Sequence, residues 1–194
     1  ISFWDHSQSD WLQFETPSGD VPPGLYGAAC VVHADTVLLF LGEDLTAGVR
    51  AATVYQLALR SMVWTDITSP SAPPSRIGAT ASLTGDGRVL LFGGERDDAP
   101  PVASDELWEY TIASRVWRRL PGTTGGARAW HAAALVDDAT LLVSGGFRIG
   151  VSEPSGVALA STVRIRLEAG GGANATATAT ATVVATSAVA RGAA

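Results

Sequence analysis

The sequence is poor in several residue types that would point to particular classes of protein. It contains one cysteine, Cys30, among 194 residues, which excludes an internal disulfide framework and a cysteine-based zinc site. Basic residues number 13 against 19 acidic ones, a formal net charge of −6, so the broad basic face typical of nucleic-acid-binding proteins is missing. No apolar run is long and uninterrupted enough to predict a membrane span. Neither a cytoplasmic nor an extracellular location is favoured.

A repeat dominates what is present. Trp11, Trp64 and Trp117 lie 53 residues apart in each case, which indicates that one supersecondary unit has been copied along the chain. Each copy contains four short β-rich runs separated by turn residues. The Gly85-Asp86-Gly87 turn, for example, carries the Asp-Gly step typical of a tight hairpin.

The four runs of each copy differ in character. The first is rich in small residues, as expected where strands crowd around a central axis; these runs are residues 27–30, 78–81 and 131–134. The second is continuously apolar, which favours a strand buried on both faces; these runs are residues 37–41, 89–92 and 141–143. The fourth carries the periodic tryptophan among charged residues, typical of an outer edge strand. Cys30 falls in a first run, so we expect it to be buried.

Particular motifs resemble the kelch repeat, the blade of a kelch-type β-propeller. They are Pro74-Ser-Arg-Ile-Gly78, Gly93-Gly94, Leu107-Trp-Glu-Tyr110 and Trp117. The resemblance implies an all-β fold with two complete four-stranded antiparallel blades, residues 24–67 and 76–120, and a partial blade at each end. It covers residues 1–169.

The third copy has no tryptophan at the expected position 170, where Gly170 begins a Gly/Ala/Thr-rich segment. We therefore predict that this copy lacks its fourth strand and that residues 170–194 are a disordered tail. Asn174 begins a sequence with the form of an N-glycosylation site. Because a propeller usually has four to eight blades, about three blades predict a fragment that could self-associate through its open ends.

Alternating strand direction places the loops between second and third strands on the same face as the loops joining the blades. We expect partner-binding residues on that face: Glu43, Glu95, Asp97, Arg76, Arg128, Trp130 and Arg148. The kelch resemblance implies that Arg76 and Arg128 point into a partner-binding pocket. The alternative is that these two arginines brace the blades through buried hydrogen bonds, and the sequence leaves both roles open.

No reactive constellation is visible. His6, His33 and His131 have no metal-ligand spacing, and His131 is expected to be a packed, hydrogen-bonded residue. There is no phosphate-binding loop, nucleophile elbow or His-Glu zinc motif, so no catalytic residue, metal or cofactor is predicted. The sequence favours a non-catalytic scaffold module that binds a protein or peptide. The alternative is a carbohydrate-active or galactose oxidase-like propeller enzyme whose active site lies largely in other blades.

Overall fold

The regular structure of the described residues is entirely β. The computed structural model describes residues 2–5, 9–13, 17–123, 125–150, 153–168 and 178–186. The first elements are β1 (Ser2–Asp5), β2 (Asp10–Gln13) and β3 (Ser18–Gly19). β1 and β2 form an antiparallel hairpin in which Trp4 lies opposite Trp11. No helix in these ranges has the length and apolar character needed to cross a bilayer.

The first complete blade follows. Its strands are β4 (Leu25–Tyr26), β5 (Ala29–His33), β6 (Thr36–Phe40), β7 (Glu43–Asp44), β8 (Val49–Arg50), β9 (Val54–Ala58) and β10 (Val63–Asp66). β5, β6, β9 and β10 form the antiparallel blade, and β3 adds to its outer edge in parallel. Leu41 and Gly42 have positive φ values of 59° and 109°, so the chain leaves the blade there. β4, β7 and β8 then form a separate small sheet, the first ribbon.

The second blade repeats this plan. Its strands are β11 (Arg76–Ile77), β12 (Thr80–Leu83), β13 (Arg88–Phe92), β14 (Glu95–Arg96), β15 (Val102–Ala103), β16 (Leu107–Thr111) and β17 (Val116–Leu120). β12, β13, β16 and β17 form the antiparallel blade, and β11, β14 and β15 form the second ribbon. Gly93 and Gly94, with φ values of 68° and 92°, separate the two sheets as Leu41 and Gly42 do in the first blade.

The third blade has a fourth strand after all. Its strands are β18 (Gly122–Thr123), β19 (Ala132–Asp137), β20 (Thr140–Ser144), β21 (Phe147–Gly150), β22 (Glu153–Ala158), β23 (Ser161–Glu168) and β24 (Thr178–Thr186). β24 pairs with β23 along its whole length. The prediction of a missing fourth strand and a disordered tail is therefore wrong for residues 178–186. Alternating Ala and Thr suit a strand, because Ala179 is buried at 2% exposure while its Thr neighbours face solvent. Residues 169–177, with Asn174, and 187–194 lie outside the described residues.

The core lies between blades. One cluster joins the first blade to the second through side chains such as Phe40, Val54, Tyr110 and Trp117. A second cluster joins the second blade to the third through side chains such as Leu90, Phe92, Leu141 and Ile165. The second strand of the middle blade, β13, is apolar on both faces because each face meets a different cluster. Val89 and Leu91 belong to the first cluster, and Leu90 and Phe92 belong to the second.

The two repeat tryptophans occupy equivalent places, as the 53-residue interval predicts. Trp64 lies opposite Leu57 and Trp117 lies opposite Tyr110 in the same pair of strands. Their exposures are 8% and 4%. The expectation of a buried Cys30, however, is wrong. Successive residues of β5 alternate between the two faces of the sheet, so Ala29 and Val31 enter the core while Cys30 is exposed.

Candidate functional site

The innermost turn of each blade is built by one residue in the left-handed conformation. Gly27, Gly78 and Trp130 occupy this position, with φ values of 65°, 65° and 58°. They are connected across the blades, because the Gly78 amide donates to the Gly27 carbonyl at 2.9 Å and the Trp130 amide donates to the Gly78 carbonyl at 2.8 Å. Glycine adopts this conformation freely, whereas tryptophan is strained in it.

The ring of Trp130 lies over the two glycines. A Cβ atom at Gly78 would approach Trp130 Cδ2 to 2.7 Å, and one at Gly27 would approach Trp130 Cη2 to 2.8 Å. The centroid of the Tyr26 ring lies 5.2 Å from that of Trp130, with the ring planes inclined by 41°. Trp130 is 37% exposed and Tyr26 50%. These two residues, called the aromatic platform below, present ring surface to solvent on one face of the blades.

Phe147 extends the apolar surface near the platform. It forms a β-bridge with Ala129, the neighbour of Trp130 in the chain. Its exposure is 45%. The third blade therefore contributes aromatic surface beside the innermost turns.

An arginine connects the first two ribbons beside the platform. Arg50, at the end of β8, lies 2.6 Å from Glu95 Oε1 and 3.4 Å from Glu43 Oε2. Its Nη1 also donates to the carbonyls of Glu95 and Arg96, at 3.1 and 3.0 Å. Burial alone would lower the pKa of Arg50, but the two glutamates outweigh it and raise the pKa, so the charge is retained. Arg50 thus fixes Glu43 and Glu95, two of the predicted site residues, in one network.

The other charged residues predicted for this face are more exposed. Asp97 is exposed and lies close enough to Arg50 to contribute to its raised pKa. Arg96 pairs with Asp98 at 2.7 Å. Arg148, in β21, is exposed next to Phe147.

Arg76 lies beneath this face rather than on it. Its side chain is completely buried and forms a 2.8 Å ion pair with Glu106. The remaining donors reach Pro74 O, Gly93 O and Ser104 Oγ at 3.0, 3.1 and 3.3 Å. Burial lowers the pKa of Arg76, although Glu106 partly opposes the shift. A guanidinium with no accessible surface cannot contact a partner.

Arg128 is buried in the same way, at 1% exposure. Its guanidinium donates to the carbonyls of Gly125, Gly126, Gly145 and Ser161 and to Ser161 Oγ, over 3.1–3.5 Å. Burial lowers the pKa of Arg128. The geometry therefore favours bracing for both arginines, and neither reaches a partner-binding pocket. The contact role implied by the kelch resemblance does not match their burial.

His131 is packed and hydrogen-bonded, as the sequence predicts. Its Nε2 lies 2.9 Å from Thr80 Oγ1 of the neighbouring blade, and its ring packs edge-on against Phe92. Burial and the nearby charge of Arg128 lower the pKa of His131 to about 4. The imidazole is therefore neutral at physiological pH and acts as a structural contact between blades.

Three residues of the site were missed from the sequence: Tyr26, Phe147 and Arg50. The signal for Tyr26 and Phe147 was their register in the repeat. Tyr26 occupies the place of Ile77 before the innermost turn, and Phe147 occupies the place of Glu43 and Glu95 opposite it. Arg50 gave no such signal, because its partner Glu95 is 45 residues away. Within the described ranges, no group of three or more His, Cys, Asp or Glu side chains is arranged to hold a metal ion.

A cleft of about 400 Å³ lies at the opposite ends of the first two blades, lined by His33, Asp86, Thr111 and their neighbours. It lies away from every residue predicted for the site, because His33 and Asp86 belong to the turns that follow the first strands of their blades. The aromatic platform and the ribbons therefore form the stronger candidate.

Comparison with known proteins gives the family. The chain is 31% identical over 150 residues to a putative adagio-like protein 2 from Oryza sativa subsp. japonica, covering 76% of this chain and 22% of that protein. It is 39% identical over 101 residues to the serine/threonine-protein phosphatase BSL2 of Arabidopsis thaliana, covering 46% of this chain and 9% of that protein. The chain therefore spans less than a quarter of either relative.

A solved structure has the same fold. The structure of YjhT matches with a TM-score of 0.56 at 22% identity, covering 71% of this chain and 37% of that one. A family model described as the KLHDC2/KLHL20/DRC7 Kelch-repeats domain matches residues 1–164. With four-stranded blades, inter-blade cores and this match over most of its length, the chain belongs to the kelch-repeat family.

Proposed function

We propose that this chain is a non-catalytic scaffold module that binds a protein or peptide through the face carrying the aromatic platform. Protein binding is typical of kelch domains. The observation that carries the proposal is Trp130, an exposed residue in a strained conformation at a position where the other two blades have glycine. Strain of this kind persists where surrounding structure enforces it, and it concentrates at binding and catalytic sites.

The composition of the face supports recognition of a polypeptide. Partially exposed aromatic rings beside charged groups are typical of binding hot spots surrounded by a polar rim. Here Tyr26 and Trp130 supply the rings, and Glu43, Glu95 and Asp97 are the nearby carboxylates. Arg148 extends the rim at the third blade.

Arg76 and Arg128 have an indirect part in this function. Gly94 N donates to the Arg128 carbonyl at 2.9 Å, and the Arg128 guanidinium donates to Gly145 O, just after β20, and to Ser161 O, at the start of β23. The two arginines hold the innermost turns of their blades in place from inside the protein, and the partner contacts the exposed residues of the face.

The experiment is selection of binders from a phage-displayed library of random short peptides against the full chain. Affinities of the selected peptides are then measured by calorimetry for the wild type, Tyr26→Ala and Trp130→Gly. Truncating a hot-spot aromatic should weaken binding by about tenfold or more. Val116→Ala and Val136→Ala, which remove exposed apolar side chains elsewhere, are the matched controls and should leave binding unchanged. Equal loss in all four variants, or no selected binder, would refute the proposal.

A further inference from the structure

We propose that the aromatic platform binds a cationic side chain, an arginine or a lysine, of a basic peptide segment. This inference rests on the proposed function and names the chemistry of the partner at that site. A cation is attracted to the electron-rich face of Trp or Tyr when it lies within about 6 Å of the ring centroid. The centroids of Trp130 and Tyr26 are 5.2 Å apart, so one cation can interact with both rings.

Charge on the surrounding ribbons complements a cation. Glu43 is the cross-strand partner of Tyr26, and Glu95 is the cross-strand partner of Ile77, which precedes the glycine beneath Trp130. Residues 43–50 and 95–98 together carry five carboxylates and two guanidinium groups. The exposed Arg148 and the buried Arg128 bring the count to five against four. The buried Arg76 is balanced by its partner Glu106, so the face stays negative. The net charge of −6 for the whole chain adds long-range attraction for a basic partner.

The ion pairs of the described residues include three of these five carboxylates and leave two, Asp44 and Asp97. Arg50 pairs with both Glu43 and Glu95, and Arg96 pairs with Asp98. Asp44 Oδ1 accepts hydrogen bonds from the amides of Thr46 and Ala47 at 2.8 and 3.1 Å. Asp97 is exposed, and its described interaction is the longer-range attraction to Arg50. A guanidinium or ammonium lying on the rings can therefore pair with Asp97 while the Arg50 network stays intact.

The backbone of the neighbouring blades holds the rings of the platform in place before a ligand binds. Trp130 is held between the glycines of two neighbouring blades, with no space for a Cβ atom at either. A rigid aromatic surface loses little conformational entropy on binding, which favours affinity. An apolar partner would use the same rings but would gain nothing from the carboxylates around them.

The test is a double-mutant cycle between protein and peptide. Peptides selected against the full chain are resynthesised with each arginine replaced by citrulline and each lysine by norleucine, which remove the charge but keep the shape. For the wild type, one such replacement should weaken binding by roughly threefold to thirtyfold. In Trp130→Gly the same replacement should have a smaller effect, because the Tyr26 ring and the carboxylates remain but the Trp130 ring is gone. Trp130→Gly has the residue found in the other two blades, and its melting curve verifies that it folds. In Trp130→Phe, removing the charge of the ligand should still cause part of the loss of affinity seen for the wild type.

Three outcomes distinguish the inference from the proposed function. Coupling between the basic residue and Trp130 supports both. Peptides that bind through Tyr26 but contain no basic residue, or whose neutral analogues bind equally well, overturn the cation proposal and leave the proposed function standing. Failure of any peptide to bind the wild type overturns both.

Discussion

Replacing Arg76 by methionine tests whether the buried arginines brace the blades. The substitution keeps most of the side-chain volume and removes the ion pair with Glu106, whose side chain is only 11% exposed. It also removes the donors to Gly93 O and Ser104 Oγ. Breaking a buried pair by removing one partner costs about 3–5 kcal/mol, because the other charge is left behind.

The expected cost lies near the lower end of that range. Glu106 keeps a hydrogen bond from Trp108 Nε1 at 3.2 Å and a longer contact with Arg119 at 3.4 Å. A loss of about 3 kcal/mol corresponds to a fall in melting temperature of roughly 6–12 °C for a domain of this size. Circular dichroism melts of the full chain at neutral pH measure it.

The double variant Arg76→Met/Glu106→Leu provides the control. Because no buried charge is then left unpaired, and Arg119, which loses its contact with Glu106, is exposed, the double variant should be less destabilised than the sum of the two single variants. Binding of a selected peptide, measured well below the melting transition, should match the wild type. If Arg76→Met melts with the wild type but loses binding, then Arg76 contacts the partner and the bracing argument is refuted.

Three further predictions concern stability. His131 has a folded pKa of about 4 against about 6.5 unfolded; the unfolded chain therefore binds more protons between these values. Stability should be complete above about pH 6.5 and fall by roughly 3 kcal/mol towards pH 4, and His131→Gln should flatten that part of a melting-temperature profile. Gly78→Ala should destabilise the chain more than Gly48→Ala in urea titrations, since both have φ 65° but only Gly78 has a ring within 4 Å of the added atom; equal effects would refute the Trp130 contact. Ala181→Pro, which interrupts β24 opposite Ile165, should lower the melting temperature, and an unchanged value would show that β24 adds no stability.

The repeat made much of the fold predictable. The 53-residue interval placed Trp64 and Trp117 correctly because each copy must bury the same strands against the next. The fourth strand of the third blade was not predictable by the same reasoning. β24 carries no tryptophan, and its alternating Ala and Thr contribute little apolar surface to recognise. Its place is decided by pairing with β23, a non-local contact that a repeat pattern does not encode.

The candidate site was less predictable, because the ribbons determine which of its residues lie next to one another. Register between second-strand loops and blade starts predicted that Glu43, Glu95 and Trp130 belong to one face. The same register could not separate an exposed arginine from a buried one. Arg76 is buried because Glu106 and Ser104 form a polar pocket for it inside the second blade, and these partners lie about thirty residues further along the chain.

Residues that differ between the copies form the candidate site, whereas residues that the copies share maintain the fold. Gly27 and Gly78 agree because the innermost turn needs a left-handed residue and leaves no space for a side chain. Trp130 departs from them, and its own ring is what fills the space above the two glycines. The departure is therefore compatible with the fold only because the other two copies kept glycine. A side chain larger than hydrogen at either glycine would displace the ring, so the exposed tryptophan and the two glycines form one structural unit across three blades.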